Sequence, residues 1–239
     1  MPSDLIYTLL LVGVFLVGDA ITGYAAYLAL SVWRGLAVPI YRSRALWTAF
    51  LAILFAVSTG FGGNIDAIFP PPFVYIAPIV IYNGLYTLIL LALFAWIDRT
   101  INTLIRLDYL RRDLFGWKKV RFAYWALVAV ASGLAVYSPP VGPASLPLFL
   151  VGGISLLIPV GYGSLALIIG SRRTTDMTFR THAKWGGYLM VGVLLASLTY
   201  FATPSNIALQ TLPYLLIAYS FYKMAKFLVP VNVITSAEP

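Results

Sequence analysis

Seven apolar stretches, separated by short loops that alternate in charge, take up most of this 239-residue chain. They run over Leu5–Val32, Leu46–Phe61, Phe73–Ile97, Phe122–Tyr137, Leu146–Gly170, Trp185–Ala202 and Ile207–Leu228. A helix rises about 1.5 Å per residue and a bilayer core is about 30 Å thick, so roughly 20 apolar residues cross it. The second and fourth stretches are short and are expected to stand upright or to borrow flanking residues. Apolar residues make up 61% of the chain and charged residues 10%. Soluble domains average about 45–50% and about 25%, so too few polar groups are present to cover a water-facing surface. The expectation is an all-α, polytopic transmembrane bundle of seven spans in one domain, with the lipid bilayer as its main surroundings.

The loops set the expected orientation. Arg34, Arg42 and Arg44 follow the first stretch, and seven cations from Arg99 to Arg121 follow the third. Arg172, Arg173, Arg180 and Lys184 follow the fifth, and Lys223 and Lys226 close the seventh. The alternate loops, FGGNIDAIFPPP, SPPVGPASLP and TPSN, hold no Lys or Arg, and neither does the N-terminal MPSD. Because cytoplasmic loops retain the basic residues, the N-terminus is expected outside and the C-terminus in the cytoplasm, with the cell membrane as the location. The same rule accounts for the net charge of +8 without nucleic acid as a partner. The first stretch has no basic flank and is too long for a cleavable signal peptide.

Several chemistries are disfavoured. The chain has no cysteine and one histidine, His182, which removes thiolate nucleophiles, disulfides and clustered metal ligands. No catalytic residues, metal or cofactor are therefore expected. His182 lies in a basic loop beside Arg180 and Lys184, where a surface position is expected. Retinal binding needs a lysine deep in the last helix, whereas Lys223 lies near its inner end.

The basic loops repeat a pattern of Arg, four residues, then Trp: Arg42 with Trp47, Arg112 with Trp117, and Arg180 with Trp185. Asp108 and Asp176 each precede the arginine by four in the last two copies. This suggests a two-span unit occurring three times, followed by a seventh helix. In each unit the arginine would snorkel to the headgroups, the tryptophan would anchor the next span, and the aspartate would pair with the arginine. Stacked together, these loops would form a cytoplasmic docking face for other membrane or cytoplasmic proteins. The layout is similar to the seven-span sensory regions at the front of some prokaryotic signalling proteins. That resemblance implies signal reception; since no output domain follows the seventh stretch, a signal is expected to pass to a separate partner.

Asp19 is the one ionisable residue deep in a stretch, roughly 20 Å from the outer end at about 1.5 Å per residue. Intramembrane acids usually face a bundle interior or a water cavity. Asp19 could thus belong to a ligand or ion path with Asn83, Tyr82, Tyr162, Tyr219 and Ser220, or act as a protonated carboxyl tying helices together. Pro159, Gly161 and Gly163 are expected to kink or interrupt the fifth helix, either as a midplane site or for close packing. Two functions follow: a non-catalytic membrane protein acting through partners as a complex subunit or sensor-like unit, or a small transporter or channel around Asp19.

Overall fold

The computed structural model describes residues 2–68, 77–110, 116–137, 146–202 and 207–229. Among them are seven helices: α1 Pro2–Trp33, α2 Pro39–Ile68, α3 Ala77–Arg106, α4 Trp117–Tyr137, α5 Leu146–Arg173, α6 Met177–Ala202 and α7 Ile207–Lys226. Four hold segments long and apolar enough to cross a membrane: Val12–Trp33, Pro39–Thr59, Thr87–Arg106 and Ile154–Arg173. At about 1.5 Å per residue, each of these reaches roughly 30 Å.

Each helix packs on its neighbours in sequence, and α7 returns to α1, closing a ring that α3 braces from within by also touching α5. Its residues Leu93, Phe94, Trp96, Ile97, Ile101 and Leu104 are fully buried. Large apolar side chains such as Leu16, Ile154 and Leu212 instead point outward. Between helices in lipid, association rests on close packing rather than on exclusion of water. Glycine provides that closeness here. A Cβ on Gly186 of α6 would lie 2.2 Å from the Trp96 ring, and one on Gly163 of α5 would lie 2.9 Å from Ile97.

The helices overrun several of the expected stretches. α2 starts at Pro39, where a missing N–H is harmless in the first turn, and continues to Ile68 through residues expected in a loop. α3 continues past Ile97 to Arg106. It ends because Asp108 turns left-handed at φ 59°. The Tyr109 N–H then donates to the Leu104 carbonyl at 2.9 Å and the Asp108 N–H to that of Ile105 at 3.1 Å. This paired closure is a Schellman motif. α5 is continuous through Pro159, Gly161 and Gly163, so the expected interruption is absent and Gly163 serves close packing. The SPPVGPA and TPSN segments lie outside the described residues.

Candidate functional site

Asp19 lies midway along α1. Its carboxylate accepts hydrogen bonds from Thr59 Oγ1 of α2 at 2.5 Å and from the Tyr214 hydroxyl of α7. Tyr214 also lies 3.3 Å from Thr59 Oγ1, and Gly18 leaves room for its ring. Three helices thus meet on one half-buried carboxylate. The other residues proposed for an ion path lie elsewhere. Tyr219 is 42% exposed and packs on Trp185 and Tyr222, while Ser220 donates to its own helix at the Leu216 carbonyl. Tyr162 stacks on Trp117 with ring centroids 5.5 Å apart. The side chains of Tyr82 and Asn83 lie outside the described residues. Among the described residues, no three of His, Cys, Asp and Glu converge as metal ligands would.

A second carboxylate went unread in the sequence. Asp98 falls one residue past the expected end of the third stretch, yet its side chain is only 8% exposed. Arg121 of α4 grips it through Nε at 3.0 Å and Nη2 at 2.8 Å. Trp125 Nε1 donates to it at 3.2 Å and Asn102 Nδ2 at 2.8 Å. The four donors satisfy a buried charge. The signal was present: Asp98 with Asn102, and Arg121 with Trp125, are each four residues apart and so share a helix face.

The third cluster lies near the basic ends of α2, α3 and α6. Arg44 is 3% exposed. It donates to the hydroxyl of Thr100 and to that of Thr103 at 3.1 Å, and lies over the Phe179 ring at 5.3 Å. His182 is the correction here: expected on the surface of a loop, it lies in α6 and is 1% exposed. Its ring stands edge-on to Trp96, with centroids 6.1 Å apart. It rests near the Met224 backbone, although neither nitrogen meets a partner in hydrogen-bonding geometry among the described residues. Burial, then the neighbouring Arg44, push its pKa down to about 3. The imidazole is therefore neutral at ordinary pH.

The Arg–Trp copies take different structural roles. Arg42 lies over Trp33 at 4.9 Å, and Trp47 is half-buried beside Phe50. Trp185 stands between Tyr188 and Tyr219. Trp117, expected as an interfacial anchor, is instead 2% exposed and packed in the core. Trp47 and Trp185 are each the ninth residue of a helix, whereas Trp117 is the first of its own. The expected pair of Asp176 with Arg180 is replaced. Asp176 accepts from the Phe179 N–H at 2.9 Å as an N-cap and from the Tyr41 hydroxyl of α2. Arg180 Nε donates to the Thr174 carbonyl at 2.8 Å. Asp108 closes α3, as above, and Arg112 lies outside the described residues.

The chain was also compared with known proteins. No protein-family model, curated protein or solved structure matches it.

Proposed function

We propose that this chain is an integral membrane protein of seven transmembrane helices, N-terminus outside and C-terminus in the cytoplasm. It has no catalysis of its own and acts through partner proteins, as a subunit of a membrane complex or a sensor-like unit. One observation carries the non-catalytic reading. Each of the four described acidic side chains holds the fold together or lies where a helix closes. Asp19 joins α1, α2 and α7; Asp98 joins α3 and α4; Asp176 caps α6 and holds α2; Asp108 occupies the turn that ends α3. An enzyme would aim such a group into an open cleft toward substrate. The outward-facing leucines and isoleucines and the one-sided placement of Lys and Arg support the membrane part.

Orientation is directly testable because the chain has no cysteine. Single cysteines placed at Ser138 and Ser205 are expected to react with a membrane-impermeant maleimide on intact cells. Cysteines at Lys119 and Thr175 are expected to react only after permeabilisation. The reverse pattern would invert the topology, and labelling of all four on intact cells would remove it.

The half-buried Asp19, with hydroxyls on two other helices, is the observation that favours a transporter or channel instead. One purification separates the two readings. From native membranes in mild detergent, the first predicts a stoichiometric partner protein, and no ion flux from the chain alone in liposomes. Flux that the chain supports alone and loses in Asp19→Asn would establish the second.

A further inference from the structure

Six aromatic rings form an unbroken row across the outside of α1, α7 and α6. Tyr27 and Tyr24 of α1 lie 6.3 Å apart, and Tyr24 lies 6.3 Å from Tyr222 of α7. Tyr222 adjoins Tyr219 at 6.2 Å, Tyr219 meets Trp185 of α6 at 5.2 Å, and Trp185 meets Tyr188 at 5.2 Å. Trp185 and Tyr222 also pack against the core, while the α1 end of the row is open. Tyr24 is 52% exposed and Tyr27 65%.

Three lysines are laid over that row. Lys223 Nζ stands 5.2 Å from the Tyr219 ring and 5.8 Å from Trp185. Lys226 stands 5.7 Å from Tyr222, and Lys184 5.9 Å from Tyr188. Each lies within reach of a cation–π contact, which holds an ammonium in place without neutralising it. Among the described residues, no carboxylate lies within salt-bridge distance of these three lysines. The patch is therefore a fixed triple positive charge on an aromatic floor.

Helical register adds apolar side chains beyond it. Leu212 lies seven residues before Tyr219, on the same face of α7, and Val17 lies seven before Tyr24 on α1. Both are exposed, Leu212 at 65% and Val17 at 55%. The surface thus pairs a cationic, aromatic head with one exposed apolar side chain on each of α7 and α1, about 10 Å further along at about 1.5 Å per residue. A soluble anion would use only the first part.

We infer that the row Tyr27–Tyr24–Tyr222–Tyr219–Trp185–Tyr188, with Lys184, Lys223 and Lys226, is a binding surface for an anionic phospholipid of the cytoplasmic leaflet. The headgroup phosphate takes the lysines and the acyl chains lie along Leu212 and Val17. The inference rests on the membrane reading and orientation proposed above. Tyrosine and tryptophan rings favour the headgroup level, and lysines there attract anionic lipid.

The test reconstitutes the full chain into phosphatidylcholine bilayers with and without phosphatidylglycerol, then counts retained lipids by native mass spectrometry. Wild type is expected to retain phosphatidylglycerol over phosphatidylcholine. The preference should fall roughly fivefold for each of Lys184→Gln, Lys223→Gln and Lys226→Gln. Lys223→Arg should keep it, and so should Lys119→Gln, which removes an exposed cation on α4. Insertion with no headgroup preference would overturn the lipid site and leave the membrane reading standing. Failure to insert into either bilayer would overturn the membrane reading itself. Loss of the preference on adding inorganic phosphate would assign the lysines to a soluble anion and overturn the inference.

Discussion

Asp98→Ala is expected to lower the stability of the bundle by about 2 kcal/mol, because two half-buried donors lose their acceptor. The carboxylate accepts five hydrogen bonds from four donor nitrogens on three side chains. Removing it leaves Trp125 Nε1 and Asn102 Nδ2, both on half-buried side chains, without their acceptor. Each such orphan costs about 1–3 kcal/mol. Arg121 is different: its side chain is 51% exposed, so water can solvate it once the partner is gone. Arg121→Gln should cost more, about 3 kcal/mol, because it leaves the 8% exposed Asp98 carboxylate without its counter-ion. Asp98→Asn should cost less than Asp98→Ala, because it keeps one acceptor oxygen. Thermal unfolding in mild detergent, followed by circular dichroism, gives the ranking. Melting of Asp98→Ala together with wild type would mean that the carboxylate does not tie α3 to α4.

Acidification should destabilise the protein through His182. Its pKa is depressed to about 3 in the folded chain and returns to about 6.5 on unfolding. The unfolded state thus binds the extra proton below pH 6.5. The stability is complete above that value and is lost progressively as pH falls toward 3. Each pH unit in that window is worth about 1.4 kcal/mol, so the loss by pH 5 is about 2 kcal/mol. The polar groups facing the ring act in opposite directions. Arg44 of α2 repels an imidazolium and the Met224 backbone of α7 favours it, while Trp96 of α3 covers the ring at a steep angle. His182→Phe, which keeps an aromatic ring and removes the titration, should flatten the melting temperature between pH 7 and 5. An equally steep decline in that variant would move the acid sensitivity to another group.

The contrast between Asp98 and Asp19 shows how much of the site could be read beforehand. Asp19 stood out because it interrupts a long apolar run, and such interruptions are visible one residue at a time. Its partners are not visible there, because Thr59 and Tyr214 lie on other helices, 40 and 195 positions away. Asp98 was overlooked because apolarity ends at Ile97 while the helix does not. A helix ends where its backbone can be capped, here at Asp108, and not where its side chains become polar. His182 departs from its expected position for the same reason: its flanking cations mark a loop, yet its side chain turns inward with those of Phe179 and Ala183 in the first two turns of α6.

What the sequence determined by itself was the helical architecture. Long apolar runs leave the backbone no way to satisfy its polar groups in lipid except within each segment. Seven helices accordingly occupy the seven stretches, four of them with segments long and apolar enough to cross a membrane. Composition likewise determined that cysteine and histidine-cluster chemistry had too few residues to draw on. Only the tertiary structure decided which polar atoms meet. It buried Arg44 among threonines, turned Trp117 from an anchor into core, and moved Asp176 from its arginine to Tyr41. These pairings depend on helix rotation and register. Helix approach in turn depends on where glycines such as Gly163 and Gly186 leave room for Ile97 and Trp96, a property of two surfaces together that neither stretch carries alone.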